Sequence, residues 1–160
     1  MRTKKEPVTP AVRVLRAAGV EFEGHLYDYQ EHGGTAHSAR SLGVDEHLVI
    51  KTLIMEDEVG NPMIVLMHGD REVATGLLAR AIGVKRVSPC DPKTAERHSG
   101  YQVGGTSPFG TRRAMPVYCE EGIATLSRIY INGGKRGYLV ALATEDALRL
   151  LAPRLVQAAR

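Results

Sequence analysis

The sequence predicts an α/β (α+β) chain: a mixed sheet or small β-barrel of about seven strands flanked by about five helices. Three observations lead there. Helical and strand-like segments alternate along all 160 residues, the 43% hydrophobic content suits a single domain over 1–160 with its own core, and several neighbouring strands lack an intervening helix. The last point argues against a doubly wound sheet.

Each element has a local reason. Thr9 as N-cap, Pro10 at the first helical position, apolar Val12, Val14 and Leu15, and Gly19 beyond the end mark a first helix. "VEFEGHLYDY" reads as a strand, and 35–42 as a short helix closed by Gly43. The run "LVIKTLIME", Leu48 to Glu56, is a strand that forms a hairpin with "MIVLMH" across the turn "DEVGNP". Asp70 is placed to cap a helix over 71–82, ended by Gly83, and Asp91 with Pro92 to start another running toward His98. Beyond the glycine-rich stretch "GYQVGGTSPFG", strands are expected at "MPVYC", "RIYI" and "YLVALA", then a last helix over 144–151.

Composition excludes several classes. No apolar run is long enough to cross a bilayer, and the start "MRTKKEPVTPAV" reaches a proline and a helix instead of an apolar signal core, so a cytoplasmic protein is expected. Cys90 and Cys119 have no CxxC partner and are read as buried structural groups. Six histidines include no HExxH or similar spacing, so neither a metal nor any other cofactor is expected. Net charge is only +3, but the basic residues cluster as Arg2 with Lys4 and Lys5, Lys85 with Arg86, Arg112 with Arg113, and Lys135 with Arg136. The last two pairs flank glycine-rich turns, where they either meet phosphates or form an ordinary solvated surface.

Two features carry candidate chemistry. Lys51 stands among branched apolar residues, where an ammonium either snorkels to water or sits desolvated with a task. The segment 100–110 combines four glycines with Thr106, Ser107 and Pro108, and can present amide donors to an anion or simply form a bulged turn. It is neither a Walker loop nor a dinucleotide fingerprint, and Ser107 lies in no GxSxG elbow. Tyr27 and Tyr101 are each candidates for a pocket wall or for covering core.

Taken together and in register, "TPAVRVLRAAGVEFEGHLYDY", "IKTLI", "GYQVGGTSPFG" and "YINGGKRG" resemble the YbaK family of Cys-tRNA(Pro) deacylases over nearly the whole chain. The resemblance implies a mixed β-barrel related to the inserted editing domain of bacterial prolyl-tRNA synthetases. It also implies hydrolysis of the ester joining an amino acid to the wrong tRNA, with mischarged tRNA(Pro) as substrate and a prolyl-tRNA synthetase as a candidate partner. Lys51 matches the family's essential lysine, Thr52 follows it, and Tyr27 matches a substrate-side tyrosine. Gly104, Gly105, Ser107 and Pro108 match the "GGxSP" loop, whose amides at Gly104 and Gly105 would receive an oxyanion. Tyr101, Thr106 and the turn residues Asn132, Gly133 and Gly134 complete the implied pocket, while Arg112, Arg113, Lys135 and Arg136 are the expected tRNA contacts. Asn132 stands where serine is common and Leu139 where an acid can occur, which leaves Ala-tRNA(Pro) or a broader set of small residues open as substrates. A noncatalytic tRNA- or synthetase-binding module is the remaining alternative. In cysteine-specific members, the resemblance implies, the substrate's own thiol attacks its ester.

Overall fold

The computed structural model describes residues 5–160; Arg2 and Lys4 of the first basic cluster lie outside them. Helix α1 (Pro10–Ala17) begins as its sequence dictates: the Thr9 hydroxyl oxygen accepts from Val12 N–H at 3.1 Å, and Pro10 occupies the first turn. Strand β1 (Phe22–Leu26) follows, then α2 (Gly34–Leu42), which Gly43 closes in the left-handed conformation. A 3₁₀ turn (Glu46–Leu48) takes the first residue of the expected lysine strand, so β2 runs Val49–Asp57. Its hairpin partner β3 (Pro62–His68) is buried along its whole length.

Helix α3 (Thr75–Ile82) starts four residues later than expected. Asp70 does not cap it, because the Asp70 carboxylate accepts from His47 Nδ1 at 2.8 Å. Residues 72–74 are spent on the end of the chain: Glu72 and Arg160 exchange main-chain hydrogen bonds, and Ala74 N–H donates to Ala158 O. Such a long-range pairing leaves no local trace. Strand β4 (Val87–Pro89) and helix α4 (Pro92–Ser99) come next, the latter capped by Asp91, which accepts from Thr94 N–H at 2.9 Å. The rest is β5 (Val117–Glu120), a 3₁₀ turn (Glu121–Thr125), β6 (Arg128–Lys135), β7 (Tyr138–Ala143), α5 (Thr144–Leu151) and β8 (Arg154–Val156).

All eight strands join one mixed sheet, in the order β1-β7-β6-β2-β3-β5-β8 with β4 attached to β2. The hydrogen-bonded path is open: among the described residues no ladder joins β1 to β8. Antiparallel hairpins β2–β3 and β6–β7 are stitched together by parallel pairs β2–β6, β3–β5 and β5–β8, so the sheet is mixed as expected. Alternation along β3 feeds two cores. Ile64 and Leu66 pack with Leu15 of α1 and Ile131, Val140 and Leu142 of β6 and β7, whereas Met63 and Val65 pack with Leu78 of α3 and Val87 of β4. No described helix is long and apolar enough to cross a membrane.

Candidate active site

Strand β2 has β3 along one edge, but its other edge is divided. β6 pairs parallel with Val49 and Ile50, then leaves; β4 arrives antiparallel at Met55, Glu56 and Asp57. Cys90 N–H closes that side by donating to Ile54 O at 3.0 Å. In the fork between them lies a cavity of about 630 Å³, bordered by residues 49–55 of β2, by Tyr27, Tyr29 and α2, by Gly104 and Thr106, and by Asn132, Leu139 and Cys90.

Asn132 opens this fork. β6 changes register between Asn132 and Lys135, and the Asn132 carboxamide oxygen accepts from Gly134 N–H at 2.7 Å and Lys135 N–H at 3.1 Å. Amides that would have continued a ladder are thereby satisfied locally. The same side chain donates through Nδ2 to Gly104 O at 3.2 Å, tying the departing strand to the glycine loop. Arg136 holds the loop from the other side: its Nε donates to Val103 O at 2.8 Å, and its guanidinium lies 5.0 Å from the Tyr29 ring centroid.

Lys51 projects into the cavity half-buried, and its Nζ donates to Arg71 O at 2.7 Å. It is therefore anchored yet reachable by water, between the two states its sequence context allows. Tyr27 is also half-buried; burial, and secondarily the neighbouring Tyr29, holds its phenol above the ordinary tyrosine pKa. Its ring meets His37 edge-on at 5.9 Å, and His37 Nε2 donates to Asp28 O at 2.7 Å.

Six of the residues expected at a pocket line this cavity together: Tyr27, Lys51, Thr52, Gly104, Thr106 and Asn132. The others support them from beneath or beside. Tyr101 is 4% exposed, and its hydroxyl donates to Phe109 O. Ser107 is fully buried with its Oγ accepting from Phe109 N–H at 3.2 Å; Pro108 is buried beside it, and Gly133 under the Tyr138 ring. Gly134, half-buried at φ +102°, makes the bulge. Gly105 is buried and its N–H is already given to Gln102 O at 2.8 Å, so of the two expected oxyanion donors Gly104 faces the cavity. Arg112, Arg113 and Lys135 are exposed, while Arg136 is partly covered.

Sequence reasoning missed Tyr29, Thr35, Glu46 and Cys90 as wall residues. Thr35 donates to Glu46 Oε2 at 2.7 Å, a pairing across eleven residues that no motif signals. Cys90 arrives through the three-residue strand β4, too short to show a period. Burial first, then the charges of Glu56 and Asp91, push its thiol up to about 11, so at neutral pH it is a protonated wall group and a poor nucleophile.

The family model for the aminoacyl-tRNA editing domain matches residues 31–150, the span holding every cavity-lining residue except Tyr27, Tyr29 and Gln30. An Enterococcus faecalis protein, provisionally named Cys-tRNA(Pro)/Cys-tRNA(Cys) deacylase EbsC, is 31% identical over 93% of this chain and 92% of its own. A proline–tRNA ligase from Brachyspira hyodysenteriae is 26% identical over 54% of this chain, a match covering 15% of the ligase. Among solved structures, one described provisionally as a trans-editing enzyme for prolyl-tRNA synthetase shares the fold with a TM-score of 0.81 at 18% identity, over 96% of this chain and 99% of that one.

Proposed function

The chain belongs to the aminoacyl-tRNA editing domain family, and on that premise we propose that it is a trans-editing deacylase of mischarged tRNA, with Cys-tRNA(Pro) as its principal substrate. The observation that carries this reading is the meeting of Lys51, Tyr27 and Gly104 around one fork-shaped cavity. Lys51 is anchored at Arg71 O by one bond, leaving further N–H directions for the phosphate or carbonyl end of an aminoacyl ester. Tyr27 closes the pocket's outer side, and Gly104 N–H meets developing negative charge.

The attacking group in this reading is the substrate's own thiol. The sulfur forms a bond to the ester carbonyl carbon and the bond to the ribose oxygen breaks, that oxygen taking the thiol proton, to give a cyclic thioester and tRNA with a free terminal hydroxyl. Proximity favours such a step, with effective molarities on the order of 10⁵ M when the geometry is held. Cys90 supplies no competing nucleophile, its thiol being protonated.

Incubation with a panel of aminoacylated tRNA(Pro) species tests the proposal. Cys-tRNA(Pro) is expected to release its amino acid more than roughly tenfold faster than the alanyl and seryl forms, which lack the thiol. Equal rates for alanine would move the protein to small-residue clearance without thiol assistance. No release from any would leave a noncatalytic tRNA- or synthetase-binding module.

A second expectation concerns RNA contact. Arg112 and Arg113 are exposed beside the glycine loop, and Lys135 is exposed at the β6–β7 turn. Replacing Arg112 and Arg113 by Gln should weaken binding to all tRNAs alike and reduce the slope of log K against log salt by roughly 0.7–0.9 per cation that meets a phosphate. An unchanged salt slope in a filter-binding series would remove them from the interface. Arg136 is a poorer test, because neutralising it also frees the loop at Val103.

A further inference from the structure

The free stretch of the β2 edge presents an unusual set of groups. Gly69 N–H donates to Val49 O at 2.7 Å, which sets the alternation of the β2–β3 hairpin. Lys51, Leu53 and Met55 therefore turn their main-chain groups toward β3, and Thr52 turns both its N–H and its C=O to the opposite edge. Among the described residues neither neighbouring ladder reaches them there. The β6 ladder stops at Ile50 with Ile131, and the next β6 amide within reach, that of Gly134, is taken by the Asn132 side chain. The β4 ladder begins at Met55 with Pro89. Thr52 Oγ1 is itself buried without a hydrogen-bond partner. One residue thus turns a donor and an acceptor that no neighbouring ladder reaches, and an unpartnered hydroxyl, to the cavity wall, where unpaired polar groups are costly.

We propose that Thr52 is a docking rung for the aminoacyl group, which adds to β2 as a strand of a single residue. This rests on the deacylase reading above. An aminoacyl ester carries an amine and a carbonyl separated by one α-carbon, the spacing of one residue of β-strand. Its α-ammonium donates to Thr52 O, and its acyl oxygen accepts from Thr52 N–H, as in strand addition to an open edge. The outward-turned neighbours are engaged on both sides, Ile50 by the ladder with Ile131 and Ile54 O by Cys90 N–H, so the free stretch of edge is short and centred on Thr52. Residues in a hydrogen-bonded antiparallel pair stand with Cα atoms about 5.5 Å apart and side chains on one face. The substrate side chain accordingly lies beside Thr52 Oγ1, which then reads its polarity. A substrate with a free α-amino group is required, and an N-blocked or deaminated acyl group loses the rung.

Two unhydrolysable amides test this without depending on turnover: 3′-cysteinylamino-3′-deoxyadenosine and its counterpart bearing 3-mercaptopropionate, which keeps the thiol and lacks the α-amino group. By calorimetry, the deaminated amide should bind roughly tenfold to a hundredfold more weakly, the factor for one charge-assisted hydrogen bond. In amide-exchange NMR the Thr52 N–H should be unprotected in the free protein, unlike those of Lys51 and Leu53, and become protected at saturating cysteinyl analogue. Equal affinity of the two amides, or a Thr52 amide unmoved at saturation, overturns the rung. Thr52 protection in a protein that cleaves no aminoacyl-tRNA would instead overturn the deacylase reading and leave the rung standing.

Discussion

Lys51→Ala should lower deacylation of Cys-tRNA(Pro) by roughly two to three orders of magnitude, the loss typical when a preorganised donor to developing charge is removed. The fold should survive. Lys51 is half-buried beside the cavity, not in either core cluster, and among the described residues its side chain makes one hydrogen bond, to the Arg71 carbonyl, which water can take over. A melting temperature within about 2 °C of the parent is expected, since such a side chain contributes little to stability. Lys51→Arg should not restore the rate, because a planar guanidinium cannot occupy the place of a compact ammonium held at 2.7 Å from Arg71 O. Single-turnover release of labelled cysteine, alongside a thermal melt by circular dichroism, reads both quantities. Near-parent turnover in a folded Lys51→Ala protein would make the lysine structural.

The second large effect is expected at Gly105, through packing. A Cβ there would stand 2.7 Å from Arg136 N and 2.9 Å from Lys135 C, both main-chain atoms of the β6–β7 turn that cannot swing aside. Gly105→Ala therefore must push the glycine loop off that turn. The displacement strains the bond from Gly105 N–H to Gln102 O and the grip of Arg136 on Val103. Overpacking of this kind costs about 1–3 kcal/mol, a loss of roughly 2–12 °C in melting temperature for a chain of this size. Activity should fall further than stability, because Gly104 moves with the loop. A Gly60→Ala control, in the β2–β3 turn where the nearest atom is the flexible Glu56 carboxylate at 3.9 Å, should leave turnover unchanged despite its own positive φ. Parent activity in Gly105→Ala would mean that the loop position does not govern catalysis.

How much of this could be read from residues alone depended on the range of the interaction. Thr9 with Pro10, Asp91 with Pro92, and Gly43 write their helix ends within four residues, and the structure reproduces them. The "LVIKTLIME" and "MIVLMH" hairpin follows from its turn. Asp70 misled because a cap is a competition, and His47 wins its carboxylate while the chain's last residues claim 72–74. Strands β4 and β8 have three residues each, too few for any period. At the site, Lys51, Thr52, Tyr27 and Gly104, which the resemblance names, line one cavity. What it could not convey is that Gly105 has already given away its N–H, or that the buried Thr52 hydroxyl has no hydrogen-bond partner among the described residues. Both facts belong to the hydrogen-bond ledger of the folded chain, and neither leaves a motif.

The divided edge of β2 also bears on solubility. An unpaired sheet edge is ordinarily a template on which a second chain can polymerise, and proteins blunt it with charge, proline or a covering element. Here the vacancy is walled at both ends, by β6 before Lys51 and by β4 after Ile54, and an ammonium stands at its mouth. A foreign strand needs several consecutive rungs to hold, and the gap between the two ladders is too short to supply them. This stretch of the β2 edge is thus too short to serve as a template for strand addition by another chain.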